Sequence, residues 1–163
     1  MNLLEQGAAL LAAGRFHEAL AVYGQAVQAA PLAPEPRVGV ARALLGTGDG
    51  WNAAAWLSDA CRVAPDRPEL WLELARLLHK QERHAELEPL LAAAVACNPG
   101  DLLLLQGQGE ALMHLRRYPQ AVIAYRRLQA LEPQPTRATL QHLGFCLEQT
   151  GDVDAAAESY RRA

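Results

Sequence analysis

The sequence predicts an all-α fold built from tandem helical hairpins, and two observations carry this prediction. Prolines recur every 34 residues, at Pro31, Pro65, Pro99 and Pro133, and a period of that length is typical of stacked-repeat proteins. Further columns keep the same step: Gly7/Ala41/Ala75/Gly109, Leu10/Leu44/Leu78/Leu112, Ala19/Ala53/Leu87/Ala121, Tyr23/Leu57/Leu91/Tyr125 and Ala26/Ala60/Ala94/Leu128. Each repeat is therefore expected to fold in the same way.

Within a repeat, the apolar residues follow the spacing of two helices. In the third repeat, Trp71, Leu74 and Leu78 mark one helical face, and Leu87 and Leu91 begin a second one after a polar break. The same pattern in the other repeats predicts five helix pairs. Their expected bounds are 2–13 and 16–29, 34–46 and 50–63, 68–80 and 84–96, 102–114 and 118–130, and 137–149 and 152–163.

Glycines mark the break between the two helices of a pair. Gly14, Gly48 and Gly151 occupy this position, where a left-handed helix end favours glycine. Arg116 stands there in the fourth repeat, so that turn is expected to close without glycine. Aspartates such as Asp49 then suit the start of the following helix.

The small-residue columns predict where the helices of a hairpin approach closely. Gly7 and Gly109 represent the first helix, and Ala19 and Ala26 represent the second. Short side chains allow close packing, and the bulky columns fill the space beside the contact.

These columns resemble the Trp/Leu/Gly/Tyr/Ala/Phe/Pro-type pattern of the tetratricopeptide repeat family. The matching slots hold Trp71, Leu74, Gly7, Gly109, Ala19, Tyr23, Ala26 and Pro31. The resemblance spans essentially the whole chain and implies a right-handed α-solenoid that acts as a general, non-catalytic interaction scaffold. We expect one solenoid domain over residues 1–163, with repeats at about 1–33, 34–67, 68–101, 102–136 and 137–163, the last one incomplete.

The fifth repeat departs from the period. Its register slips by one residue after Pro133, and Ala163 falls inside its second helix, before any closing proline. Solenoids normally end in a polar cap over the last apolar face. We therefore expect the chain to be a fragment of a longer protein and to self-associate weakly through the uncapped last helix.

The resemblance also implies where a partner would bind, because the first helix of each pair lines the concave surface in this family. The predicted lining of this groove consists of Val38, Arg42, Leu72, Glu73, Arg76, His79, Gln106, Glu110, His114, Gln141 and Phe145. Arg42 and Arg76 occupy equivalent slots and could hold a carboxylate. The alternative, which we favour, is that they pair with neighbouring glutamates of the chain (Glu69, Glu73 or Glu110).

A carboxylate clamp of the type found in chaperone-binding members of the family is not expected. The corresponding slots hold Leu4, Ala8, Gly39, Glu69 and Glu73. Two acids thus stand where the clamp needs basic residues.

Trp51 and Trp56 lie on the second helix of repeat two, at slots that normally look partly outward. They are candidate interface anchors, because tryptophan is enriched in binding hot spots. The alternative is that they cover the turn or pack on the next repeat.

Composition argues against several other classes of protein, including nucleic-acid-binding, membrane-spanning and secreted proteins. The net charge is −3, whereas nucleic-acid surfaces normally need a basic excess. The apolar runs are too short for a membrane span, and the N-terminus lacks the features of a signal peptide. We therefore expect a cytoplasmic protein, and the scarcity of lysine, with Lys80 alone, suggests a GC-rich bacterial genome.

No motif for catalysis, a cofactor or a metal is recognised. The histidines lack H-E-x-x-H spacing, Gly46–Gly50 lacks the phosphate-loop form, and no catalytic triad is evident. For His79 and His114, polar groove contact is favoured over a metal pair. Cys61, Cys97 and Cys146 are expected to be small buried residues.

The function expected from these residues is a scaffold that binds a protein or peptide partner without catalysis. One alternative is a regulatory or substrate-recruiting arm of a larger enzyme of glycosyltransferase or methyltransferase type. A second alternative is a secretion chaperone.

Overall fold

The computed structural model describes residues 2–163, which form ten α-helices and no strand. In chain order these are α1 (Leu3–Ala12), α2 (Phe16–Ala29), α3 (Pro34–Gly46), α4 (Gly50–Val63), α5 (Pro68–Lys80), α6 (His84–Cys97), α7 (Leu102–His114), α8 (Tyr118–Leu131), α9 (Arg137–Gln149) and α10 (Val153–Arg162). Helices α2, α3, α4, α5, α7 and α9 have the predicted bounds, and the others differ by one residue at one or both ends. The all-α prediction is confirmed.

The helices form two compact units. The first, Met1–Glu82, contains α1 to α5, and the second, Arg83–Ala163, contains α6 to α10. Within each unit, every helix packs against the next helix along the chain. The boundary falls in the turn of the third predicted repeat, and a single solenoid domain over 1–163 stays a prediction.

The turn inside each pair contains a residue in the left-handed backbone region. Gly14, Gly48 and Gly151 have φ angles of 71°, 86° and 86°, as their spacing predicts. Arg116 takes the same region with φ 55°, so the fourth turn does close without glycine. Glu82 does the same in the third turn, with φ 57°.

Aspartates cap the helices that follow two of these turns, as expected. Asp49 accepts a hydrogen bond from the backbone N–H of Asn52 (3.1 Å), and Asp152 accepts one from Ala155 (3.3 Å). The Asn52 side chain and backbone N–H lower the pKa of Asp49. This cap therefore stabilises the fold at neutral pH, and its contribution is lost as the pH falls through the depressed pKa.

A glycine on the first helix faces a tyrosine on the second in several hairpins. A Cβ atom built on Gly7 would lie 2.6 Å from Cζ of Tyr23, and one built on Gly109 would lie 2.7 Å from Cζ of Tyr125. These distances are shorter than any ordinary van der Waals contact, so the ring fills the space that a side chain would need. The predicted close approach at these columns is confirmed.

The fifth hairpin repeats this contact, and the second replaces both partners together. Gly144 faces Tyr160, at 2.7 Å from its would-be Cβ to Cε1. In the second hairpin, Ala41 and Leu57 occupy the two columns and both are fully buried. Where the first helix carries alanine in place of glycine, the second helix thus carries leucine in place of tyrosine.

Trp71 occupies the core slot predicted for it. Its side chain is buried, and its indole N–H donates a hydrogen bond to the Pro65 carbonyl at 3.0 Å. Arg37 fills the same slot one repeat earlier and donates to the carbonyls of Pro31 (2.7 Å) and Ala33 (2.9 Å). A tryptophan and an arginine at equivalent positions therefore hydrogen-bond to the equivalent loop that precedes the first helix in their repeats.

The cysteine prediction is correct for two of the three residues. Cys61 and Cys146 are buried, but Cys97 is exposed, because it is the last residue of α6 and lies beyond that helix's buried stripe. Burial raises the pKa of Cys61 to about 12 and that of Cys146 to about 11.

Over residues 2–163, none of the helices is long and apolar enough to cross a membrane.

Candidate functional site

In the first unit, an ion pair joins two successive first helices. Arg42 of α3 donates two hydrogen bonds to Glu73 of α5, from Nε to Oε1 and from Nη2 to Oε2, both at 3.1 Å. Hydrogen bonding to Glu73 raises the pKa of Arg42, although partial burial acts in the opposite direction. Of the two sequence-based alternatives for Arg42, pairing with a neighbouring glutamate is the one that occurs.

Arg67 forms a second link between these helices. Its guanidinium donates to Glu35 of α3 at 2.6 Å and to Glu69 of α5 at 2.7 Å. Arg76 is exposed, and within the described part of the first unit no carboxylate lies within 4.0 Å of it. We call the exposed residues Glu35, Arg42, Glu69 and Arg76, together with the half-buried Glu73, the α3/α5 face.

The other residues predicted for the first unit differ in accessibility. Val38 is only 8% exposed, because α3 packs against α1, α2 and α4. It therefore offers little surface to a partner, which differs from the expectation of an open groove position. Leu72 is half-buried, and His79 is exposed in the last turn of α5.

In the second unit, the predicted residues lie on the first helices α7 and α9. Glu110 is half-buried and accepts a hydrogen bond from the Gln106 amide at 2.8 Å. Phe145 is 40% exposed and meets the Tyr118 ring edge-on, with centroids 5.8 Å apart. Gln141 is exposed on α9.

His142 was missed by the sequence reasoning. Its Nδ1 lies 3.2 Å from the hydroxyl of Tyr125, which is fully buried. Burial raises the pKa of Tyr125, so its hydroxyl keeps its proton; the tautomer of His142 decides which of the two atoms donates. The available signal was the repeat slot, because Gly39 occupies the equivalent position and packs against Tyr23.

His114 has a neighbour other than the one considered from the sequence. Its ring stacks on that of His84, with centroids 6.2 Å apart, whereas His79 belongs to the first unit. Among the described residues, no group of three or more His, Cys, Asp and Glu side chains is arranged to hold a metal ion.

The two candidate anchor tryptophans have different environments. Trp51 is 65% exposed at the start of α4. Trp56 is half-buried and packs against a cluster formed by Ala19, Tyr23 and neighbouring residues of α2 and α3. Trp51 therefore retains the surface that an interface anchor needs, whereas Trp56 contributes to the core.

Comparison with known proteins gives a family match and a fold match. Models of the tetratricopeptide repeat match residues 10–60 and residues 107–163. No curated protein sequence matches the chain.

Solved structures of MamA proteins have a similar fold. A crystal structure of MamA protein gives a TM-score of 0.74 at 18% identity, covering 98% of this chain and 87% of that one. MamA from residue 41 to its end, from Desulfovibrio magneticus RS-1, gives 0.69 at 23% identity, covering 98% and 90%. At these identities the similarity concerns the fold alone.

Proposed function

Because the chain belongs to the tetratricopeptide repeat family and is thus built as a protein-interaction scaffold, we propose that it binds a peptide or partner segment on the exposed faces of its first helices. The binding residues would come from the α3/α5 face in the first unit and from α7 and α9 in the second. The role is non-catalytic in this proposal, and the partner is a protein rather than a nucleic acid. The cytoplasmic location also stays a prediction.

The observation that carries this proposal is the recurrence of accessible polar and aromatic side chains at one repeat slot of the first helices, which holds Arg42, Arg76, Glu110 and Phe145. The first helices keep charged, amide and aromatic side chains at exposed positions with the same repeat spacing, including Arg42 and Phe145. Regularly spaced accessible groups suit an extended partner segment.

On the α3/α5 face, a partner carboxylate would first meet Arg76, since Glu73 already engages Arg42. A carboxylate that reached Arg42 would have to displace Glu73. Glu73→Gln would weaken the internal pair, so we expect tighter binding of acidic peptides by this variant.

The experiment is selection of random 12-residue peptides displayed on phage, followed by binding measurements with the enriched peptides. We expect Arg76→Glu to weaken binding of the peptides that the α3/α5 face selects, and Phe145→Ser to weaken binding of those that α7 and α9 select, because both residues lie at exposed first-helix positions. The matched control is Ile123→Ser, since Ile123 lies on the second helix α8 and is an apolar residue even more exposed (61%) than Phe145 (40%). Failure to enrich any peptide class, or equal losses in the control, would overturn the proposal.

A second candidate function is self-association through α10. Val153 is 66% exposed and Tyr160 is 42% exposed. One repeat earlier, the same slots hold Tyr118, which packs on Phe145, and Tyr125, which is fully buried beside His142. A second copy of the chain could cover this apolar part of α10.

Self-association is tested by sedimentation over a range of concentrations. We expect the average mass of the wild-type protein to rise with concentration. Ala157 is exposed on α10 one turn after Val153, so Val153→Lys combined with Ala157→Lys should abolish the rise. Ile123→Lys serves as the control on an exposed apolar position of α8. A strictly monomeric mass at high concentration would contradict this candidate.

A further inference from the structure

The exposed surface of the second unit combines acidic, amide and apolar side chains at matching repeat slots. The α7/α9 face consists of Gln106, Glu110 and Met113 on α7, and Gln141, Phe145 and Glu148 on α9. On each helix the three residues are spaced at i, i+4 and i+7, so they lie on one side of that helix. All six are exposed or half-buried.

The two carboxylates of this face are held by neutral donors. Glu110 accepts its hydrogen bond from the amide of Gln106 at 2.8 Å, and Glu148 accepts one from the hydroxyl of Tyr160 at 3.2 Å. Within the described part of the second unit, no Lys, Arg or His nitrogen lies within 4.0 Å of either carboxylate. Glu88, by contrast, is paired with Arg117 at 3.2 Å. Within this unit, the carboxylates of Glu110 and Glu148 are therefore oriented by hydrogen bonds but form no ion pair.

Phe145 adds an aromatic surface to the α7/α9 face. It occupies the same repeat slot on α9 that Glu110 occupies on α7. The edge-on contact with Tyr118, at 81° between the ring planes, restricts the orientation of the Phe145 ring while part of the ring stays accessible. An aromatic ring face attracts a Lys or Arg cation, and the aliphatic part of such a side chain covers apolar surface.

We infer that the α7/α9 face binds a partner segment in which Arg or Lys side chains alternate with aliphatic residues. This inference rests on the proposed function, and it adds the chemistry of the partner. The cationic groups would meet Glu110 and Glu148, and the aliphatic groups would cover Met113 and Phe145.

The slot that best distinguishes the units supports this choice of partner. It holds Arg42 and Arg76 in the first unit, but Glu110 and Phe145 in the second. A segment selected by the α7/α9 face should therefore differ in charge from one selected by the α3/α5 face. Electrostatic complementarity of this kind sets partner choice and association rate.

The test uses the peptides enriched by phage display on the intact chain, compared with those enriched on a Glu110→Gln/Glu148→Gln double variant. Glutamine keeps an acceptor oxygen for Gln106 and Tyr160, so the variant removes charge and little else. The matched control is Asp154→Asn/Glu158→Gln, which changes the net charge equally on exposed positions of α10.

We expect the wild-type chain to enrich peptides with Arg or Lys beside aliphatic residues. The double variant should bind these peptides about tenfold more weakly, and the control variant should bind them as the wild type does. Replacing arginine by citrulline in the peptide should cause a similar loss, because the side chain keeps its size without the charge.

Other outcomes would distinguish a failure of this inference from a failure of the proposed scaffold function. Enrichment of acidic peptides alone, or of basic peptides that bind the double variant unchanged, would overturn the inference while leaving the scaffold function intact. If no peptide class is enriched at all, both the inference and the proposed function fail.

Discussion

At the residue scale, the glycine–tyrosine contacts set how closely the two helices of a hairpin can approach. The contact between Gly109 and Tyr125 is the most constrained, because Tyr125 is fully buried and its hydroxyl is engaged by His142. The ring therefore has little freedom to move away from an added methyl group. Overpacking of this kind destabilises a protein.

Gly109→Ala should lower the free energy of unfolding by about 1–3 kcal/mol. The cost should be smaller in a Tyr125→Leu background, since Ala41 and Leu57 form the equivalent pair in the second hairpin. Urea denaturation of the single and double variants measures this coupling.

The control for this cycle is Gly24→Ala. Gly24 lies inside α2, and a Cβ built on it meets nothing within 4 Å. We expect this change to be neutral or to stabilise the protein by roughly 0.5–1 kcal/mol through helix propensity. Equal effects of the two alanine substitutions would show that the tyrosine contact does not limit the packing.

The thiols provide a second prediction at this scale. Only Cys97 should react with a thiol reagent in the folded protein at pH 8, because Cys61 and Cys146 are buried and burial raises the pKa of both thiols. All three should react after denaturation. Labelling followed by mass spectrometry reads the sites directly, and rapid native labelling of Cys61 would contradict the packing described for α4.

At the scale of the element, the turns inside the hairpins differ in backbone strain. Three use glycine in the left-handed region, whereas Glu82 and Arg116 adopt it with a side chain present. A left-handed backbone brings Cβ close to the following carbonyl oxygen, which costs free energy in residues other than glycine.

Arg116→Gly should therefore stabilise the protein by about 0.5–1 kcal/mol, the relief of strain being partly offset by the greater freedom of glycine when unfolded. Thermal unfolding monitored by circular dichroism measures the change. Gly48→Ala is the reciprocal control and should destabilise, because Gly48 has φ 86°. A lower melting temperature for Arg116→Gly would count against strain in this turn.

The sequence predicts the elements well because the repeat pattern is local. Helix bounds follow from apolar spacing, glycines and prolines, which act within a few residues. The partner of Arg42 could not be predicted uniquely, since Glu69, Glu73 and Glu110 were all candidates, and the choice depends on how neighbouring helices align. The burial of Val38 likewise depends on three helices around α3.

At the scale of the whole molecule, the division into two compact units has no counterpart in the repeat period. The boundary between Glu82 and Arg83 interrupts a repeat that the sequence shows as continuous. A period records which residues recur, but the extent of packing between consecutive helices depends on the whole set of side chains at each contact. Each unit nevertheless keeps exposed first-helix positions with the predicted spacing.

The most direct test of the scaffold account is to map a bound peptide by NMR on the isotope-labelled intact chain. The account predicts amide shifts concentrated on first helices: on α3 and α5 near Arg76 for an acidic peptide, and on α7 and α9 near Glu110 and Phe145 for a basic one. Shifts concentrated on the exposed side of the second helices, for example around Ile123 of α8, would contradict it.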